Sequence, residues 1–237
     1  MDSQVHYLPL TPGLFSILVL LFAGLIILIQ LRILRYAYMR LGVGPGVALL
    51  LLFGSLVGSY FNIPITILPG KTVRSGEIVD FFGMRYIVPI VTSSGTVLAV
   101  NVGGAVIPTL MSTYLVLRYQ LWFRAALAIA AIAFIIHSMA TPVPGVGIAV
   151  PVFVPVVATA ILAFILSREY AAPLAYIGGS MGTLIGADLL NLDRIGSLGA
   201  PVASIGGAGT FDGIFLTGIL AVLLAGIATP SRPRPAW

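Results

Sequence analysis

Five polar residues stand where the chain is otherwise strongly apolar: Asn101, His137, Asp188, Arg194 and Asp212. An aspartate in such a setting can bind a cation or a proton. Two that meet and share one proton can activate a water against a peptide bond. Asn101 and His137 would complete a polar site by hydrogen bonding. Each residue also has a plainer role. Asp212 follows Thr210 at a helix start, where the positive dipole end stabilises a carboxylate. Asp188 falls at a helix C-terminus, where unpaired carbonyls disfavour negative charge. It needs a proton or a cation there, and Arg194 is the nearest one. A histidine such as His137 is more often a packed interface residue than a ligand, and Asn101 can bond a neighbouring helix. The two aspartates face opposite helix ends, so their proton affinities should differ, as acid–base chemistry or proton-coupled binding requires.

The elements that must carry these residues follow from composition. The chain has 237 residues, of which 59% are apolar and 8% charged. A soluble domain carries roughly 25% charged residues. Too few polar groups are present to cover a water-exposed surface, whereas a bilayer removes that need. The length fits one polytopic membrane domain over residues 1–237. The net charge is +5. The basic residues sit singly at the ends of apolar runs, so they read as orientation signals rather than a nucleic-acid surface. Cysteine is absent, which excludes disulfides, thiol catalysis and cysteine-bound zinc. No nucleotide-binding or haem motif is present and the two histidines are isolated, so neither a cofactor nor a metal is expected.

A membrane span needs about 20 mostly apolar residues. Seven candidates fit, over about residues 13–31, 45–61, 95–117, 121–140, 151–166, 173–190 and 210–228. A polar stretch from Asn62 to Ser94 reads as an outer loop with short strands near Ile63–Leu68 and Tyr86–Val91. The expected fold is therefore an all-α membrane protein of about seven transmembrane helices, some broken, with a small β-containing outer loop. With the N-terminus outside, the inner side receives Arg32, Arg35, Arg40, Arg118, Arg124, Arg168, Arg232 and Arg234. The outer side receives Lys71, Arg74, Arg85 and Arg194. That is the positive-inside pattern for a multi-pass cell-membrane protein with a cytoplasmic C-terminus. Asn101, His137, Asp188 and Asp212 then share the outer third of the membrane. Ionisable groups at such depth usually face a bundle interior or a wet cavity.

Glycine and proline add two expectations. Gly178, Gly182 and Gly186 recur at spacing four, as do Gly209, Gly213, Thr217, Ala221 and Ala225. Such faces let helix backbones approach closely and are also suited to joining copies of the chain. Asp188 points about 200° away from Gly186 on an ideal helix, so the sixth span should be central. The run from Asn101 to Pro108 should weaken or kink the third span. The Pro/Gly run from Pro142 to Pro151 cannot be regular helix and could re-enter the membrane. Transporters build sites from such interrupted helices. Gly95–Asn101 (GTVLAVN) also echoes Gly182–Asp188 (GTLIGAD), which would suit an inverted repeat.

Asn62-Ile63-Pro64, Val100–Pro108, Pro142–Pro151, Gly182–Leu192 (GTLIGADLLNL) and Ile205–Leu216 (IGGAGTFDGIFL) resemble a prokaryotic family of multi-spanning membrane proteins classed as a domain of unknown function. The resemblance covers nearly the whole chain and implies a bacterial or archaeal cell membrane. A weaker similarity is to intramembrane aspartyl proteases of the presenilin and prepilin-peptidase kind. Their Gly-x-Gly-Asp is displaced here, because Thr210 and Phe211 separate Gly207-Ala208-Gly209 from Asp212.

Three functions follow as expectations. The first is transport of a small solute or ion through a site of Asn101, His137, Asp188, Arg194 and Asp212. The second is an aspartyl intramembrane protease with Asp188 and Asp212 catalytic and a membrane peptide as substrate. The third is a membrane scaffold or assembly protein, its polar residues all structural. The common partner is the lipid bilayer.

Overall fold

The computed structural model describes residues 20–21, 23–24, 39–69, 78–81, 84–87, 95–143, 147–151, 153–195, 202–207 and 213–228. Asp212 lies outside them. So does the first expected span, apart from a few helical positions between Leu20 and Gly24.

The chain is mostly helical with some strands. Helix α1 spans Pro45–Gly58, α2 Ile107–Tyr119, α3 Trp122–Met139 and α4 Phe153–Leu166. Helix α5 spans Ala171–Thr183, the short α6 Leu192–Ile195 and α7 Gly213–Ala228. Strands are β1 (Asn62–Pro69), β2 (Ile78–Phe81), β3 (Met84–Ile87), β4 (Gly95–Asn101), β5 (Thr141–Val143), β6 (Gly147–Ala149) and β7 (Val202–Ile205). Among the described residues one helix, α3, is long and apolar enough to cross a membrane; apolar stretches of α1, α4 and α7 are shorter.

Helix α5 is the hub. Its residues are buried on every side except at Met181, and it packs against α2, α3, α4 and α7. The central position expected of the sixth span is what the fold shows. The glycine ladder explains it. A Cβ on Gly178 would lie 3.2 Å from the Ala128 Cβ, and one on Gly182 would lie 2.7 Å from Ile132. One on Gly186 would come within 2.5 Å of the Ala133 carbonyl oxygen. The bare backbone is therefore what lets α3 sit against this run. On the opposite side Gly179 backs onto Gly218 of α7, with 3.1 Å available to a Cβ. Leu41, Leu115, Leu174, Ile177 and Val222 close the core around it, all fully buried.

The expected third span is corrected at its N-terminal end. Gly95–Asn101 is a strand, the centre of the sheet β1-β4-β7. Its Thr-Val-Leu-Ala-Val run suits a pleated, two-sided burial, with Thr96 and Ala99 inside. β1 pairs with it antiparallel, from Asn62 opposite Asn101 to Pro69 opposite Gly95, with a bulge at Pro64/Thr66. β7 pairs with it in parallel, Val100 opposite Ile205. Parallel strands need a long crossover, and here the helices between Asn101 and Val202 supply it. The inverted-repeat echo fails for the same reason. GTVLAVN is strand, whereas GTLIGAD ends α5 and continues into a π turn.

Two further readings are refined. The Pro/Gly run after residue 141, expected not to be regular helix, contains an antiparallel pair, Thr141–Val143 with Gly147–Ala149. In the loop after β1, Ile78–Phe81 pairs with Met84–Ile87, a few residues before the second strand expected there.

Candidate functional site

Two of the helical runs carry a π turn. The first, Val102–Val106, joins β4 to α2. The second, Leu184–Asp188, extends α5 and passes into a 3-10 turn at Leu189–Asn191. Single-turn π segments within helices are rare and often sit at functional sites. Asn101, His137 and Asp188 lie at one end of these turns or against them.

Asn101 caps the first turn. Its Oδ1 accepts from the Gly104 N–H at 2.8 Å. Its Nδ2 donates to the Ser59 carbonyl at 2.8 Å and to Asn62 Oδ1 at 3.1 Å. Asn is a favoured helix cap because its short side chain reaches such orphan N–H groups. The residue is 1% exposed, and all its capacity as donor is used inside the protein. Asn62 Oδ1 also accepts from Ser204 Oγ at 2.6 Å, so the ends of all three strands are joined by side chains. No side chain fits at Gly103, where a Cβ would lie 2.0 Å from the Ser55 carbonyl.

Asp188 closes the second turn, and its Oδ2 accepts from the Gly206 N–H at 2.7 Å. Gly206 follows β7 with φ +92°, as does Gly207, and leads the chain away by a turn closed from the Gly207 N–H to the Ser204 carbonyl. A Cβ on Gly206 would lie 2.6 Å from the Ala105 nitrogen. Gly206 is thus wedged between the Asp188 carboxylate and the backbone of the first π turn. The two interrupted segments meet through this one glycine.

His137 lies near the end of α3. Its Nδ1 is 3.3 Å from Asn191 Nδ2. Asn191 also donates to the Gly186 carbonyl at 3.1 Å and the Ala187 carbonyl at 3.0 Å, both in the second π turn. Asn191 is fully buried, and its Oδ1 has no hydrogen-bond partner. A buried unpaired carbonyl oxygen is costly, and it leaves an acceptor open at this place.

The structure therefore brings the candidates into two adjoining groups. Asn101 joins Asn62, Ser204 and the first π turn. Asp188 and His137 flank the second, His137 through Asn191. Arg194 is exposed on α6. Three participants were missing from the sequence reading: Asn62, Asn191 and Ser204. Asn62 carried a signal in Asn-Ile-Pro at a strand start, and Asn191 in Leu-Leu-Asn-Leu three residues after Asp188. Ser204 carried none. Among the described residues, no three His, Asp or Glu side chains gather as a metal site.

A family model matches residues 56–224. The chain belongs to that family, described as proteins of unknown function, DUF1614. The matched span runs from the last turn of α1 into α7 and includes every residue of both groups. No curated protein and no solved structure matches the chain.

Proposed function

We propose that the chain is a multi-pass membrane protein that moves a small solute or ion, with Asp188 binding a cation or proton at the outer end of the helix bundle. Membrane embedding on several helices is supported by their outward faces. Leu50 and Phe53 on α1, Leu110 and Leu117 on α2, Phe123 and Phe134 on α3, and Phe153 and Ile165 on α4 are all exposed. Water-soluble monomers rarely expose apolar patches of that extent. Counted with their π turns, the helical runs at residues 102–119 and 171–195 also lengthen toward the span of a bilayer. The seven-span, N-outside arrangement rests on the positive-inside pattern.

The observation that carries the transport reading is the meeting of the two π turns at Gly206. Irregular backbone at membrane depth is tolerated where protein or a wet cavity satisfies it, and transporters use such breaks to form sites. The open capacity beside these breaks is of the accepting kind: Asn191 Oδ1 and the remaining lone pairs of the Asp188 carboxylate. Acceptors suit a cation or a proton donor.

The test is flux in proteoliposomes holding the full chain and a trapped pH dye, with imposed H+, Na+ or K+ gradients. Protein-dependent flux that disappears in Asp188→Asn supports the reading. Flux equal to protein-free vesicles for all three ions, or unchanged in Asp188→Asn, overturns it.

A second reading, a scaffold, is favoured by β1. It is an edge strand that exposes Ile63, Ile65 and Ile67. Exposed apolar edges invite pairing with another chain. The protease reading requires Asp188 and Asp212 to share a water. Cleavage of a model membrane peptide that is abolished by Asp212→Asn would replace transport.

A further inference from the structure

A groove of about 300 Å3 runs between α4 and α7. Its lining is Val157, Ala160, Ile161, Phe164 and Ile165 from α4 and Leu224 from α7. The α4 residues fall at i, i+3, i+4, i+7 and i+8, which is one helix face. Its floor is Ala160, a small residue 8% exposed, flanked by Val157, Ile161 and Ile165, which are 48, 56 and 72% exposed. The stripe has one polar end. Arg168 follows Phe164 by four residues, and its guanidinium lies over the Phe164 ring, 5.2 Å from the centroid. Arg168 is exposed.

We propose that this groove holds a phospholipid, one acyl chain along the α4 stripe and the phosphate at Arg168. The occupant follows from the two ends together. An apolar helix from a partner would fill the groove but would give Arg168 nothing of opposite charge. A free phosphate would satisfy Arg168 but would leave the groove empty. A phospholipid matches both, and arginine presents the planar donor fork that suits a phosphodiester. Ring stacking on Phe164 holds that fork at the groove mouth. The positive-inside pattern puts this end at the cytoplasmic leaflet. This site is separate from the polar groups at the opposite end of the bundle, so its fate does not depend on the transport reading.

The test is native mass spectrometry of the full chain in detergent, with either dioleoyl phosphatidylglycerol or dioleoylglycerol added. The first has the phosphate and the second only the acyl chains. The expected result is a phosphatidylglycerol adduct that survives activation and a much weaker dioleoylglycerol adduct. Arg168→Gln should lower the phospholipid adduct on the order of tenfold, the loss of one charge-assisted contact. Arg168→Lys should restore part of it. Ala160→Trp, which fills the floor, should lower both adducts, and Ile161→Trp at the exposed wall provides a second variant if that one fails to fold. Equal retention of the two lipids, or an adduct unchanged in Arg168→Gln, overturns the proposal. So does a dimer of the chain that Ile161→Trp dissociates, which would assign the groove to a second copy.

Discussion

The Asp188 carboxylate and the Gly206 N–H are 2.7 Å apart, across 18 residues of chain. This bond ties the end of α5's π turn to the end of β7. Asp188→Ala leaves the Gly206 N–H without that acceptor, at a cost of about 1–3 kcal/mol for a buried unsatisfied donor. Asp188→Asn retains an oxygen that can accept, so its loss should be smaller. Thermal unfolding in detergent should therefore rank wild type above Asp188→Asn above Asp188→Ala. Flux should be lost in both variants, because both lack the charge. An Asp188→Ala protein as stable as wild type would show that the bond contributes nothing to the fold.

Gly206 offers a sharper probe of the same junction. Its φ of +92° strains any L side chain, and a Cβ would lie 2.6 Å from the Ala105 nitrogen and 2.7 Å from the Ala105 Cβ. Gly206→Ala should therefore destabilise by about 1–3 kcal/mol from the backbone alone, with steric repulsion in addition. The Ala105 contact can be relieved only in part by Ala105→Gly, since the nearest atom is backbone. Full recovery of the melting temperature in the double variant would contradict this geometry.

Asn101 links three elements, and two substitutions separate its roles. Asn101→Leu removes the partners of the Ser59 carbonyl and the Gly104 N–H at a buried position. A loss of about 1–3 kcal/mol per stranded group is expected. Asn101→Asp retains an acceptor for Gly104 but turns an oxygen toward the Ser59 carbonyl and Asn62 Oδ1, where a donor now stands. It should be no more stable than Asn101→Leu, although it is closer in shape. A near-neutral Asn101→Asp would mean that the amide donors are dispensable.

Much of this junction was legible in the sequence, but its form was not. Asn101 and the glycines after it announced a break, and a π turn is there. What the apolar run 95–101 could not reveal is that it is a strand. A short, β-branched apolar run has the same composition as the start of a membrane helix, and periodicity does not separate them. The deciding partners lie far along the chain: β1 pairs with it at separations from 26 residues (Pro69 opposite Gly95) to 39 (Asn62 opposite Asn101), and β7 at 105 (Val97 opposite Val202). Helices α3 and α4, by contrast, begin and end within a few residues of their expected spans, because uninterrupted apolar runs carry their own boundaries. Asn191 escaped notice because its role, bonding the Gly186 and Ala187 carbonyls, exists only once the π turn has freed them.

The spacing of Gly178, Gly182 and Gly186 permits a graded prediction. All three face α3, but what each meets differs. At Gly178 the nearest atom is the Ala128 side chain at 3.2 Å, a contact that a slight shift relieves. Alanine also favours helix over glycine by about 1 kcal/mol, so Gly178→Ala should be close to neutral. At Gly182 the Ile132 side chain lies at 2.7 Å, and overpacking should cost about 1–3 kcal/mol. At Gly186 the obstacle is the Ala133 carbonyl oxygen at 2.5 Å, which is backbone and cannot turn aside. Gly186→Ala should be the most damaging, and it should also disturb the π turn that carries Asp188. Ile132→Ala discriminates between the two. It removes the Ile132 Cγ2 from the path of Gly182→Ala but leaves the Ile132 Cβ at the same 2.7 Å, so that pair should recover only part of the overpacking cost and lose slightly less stability than the sum of its single variants. It removes nothing from the path of Gly186→Ala, so that pair should be additive. Additivity in both pairs would mean that α3 and α5 are held apart by something other than these three contacts.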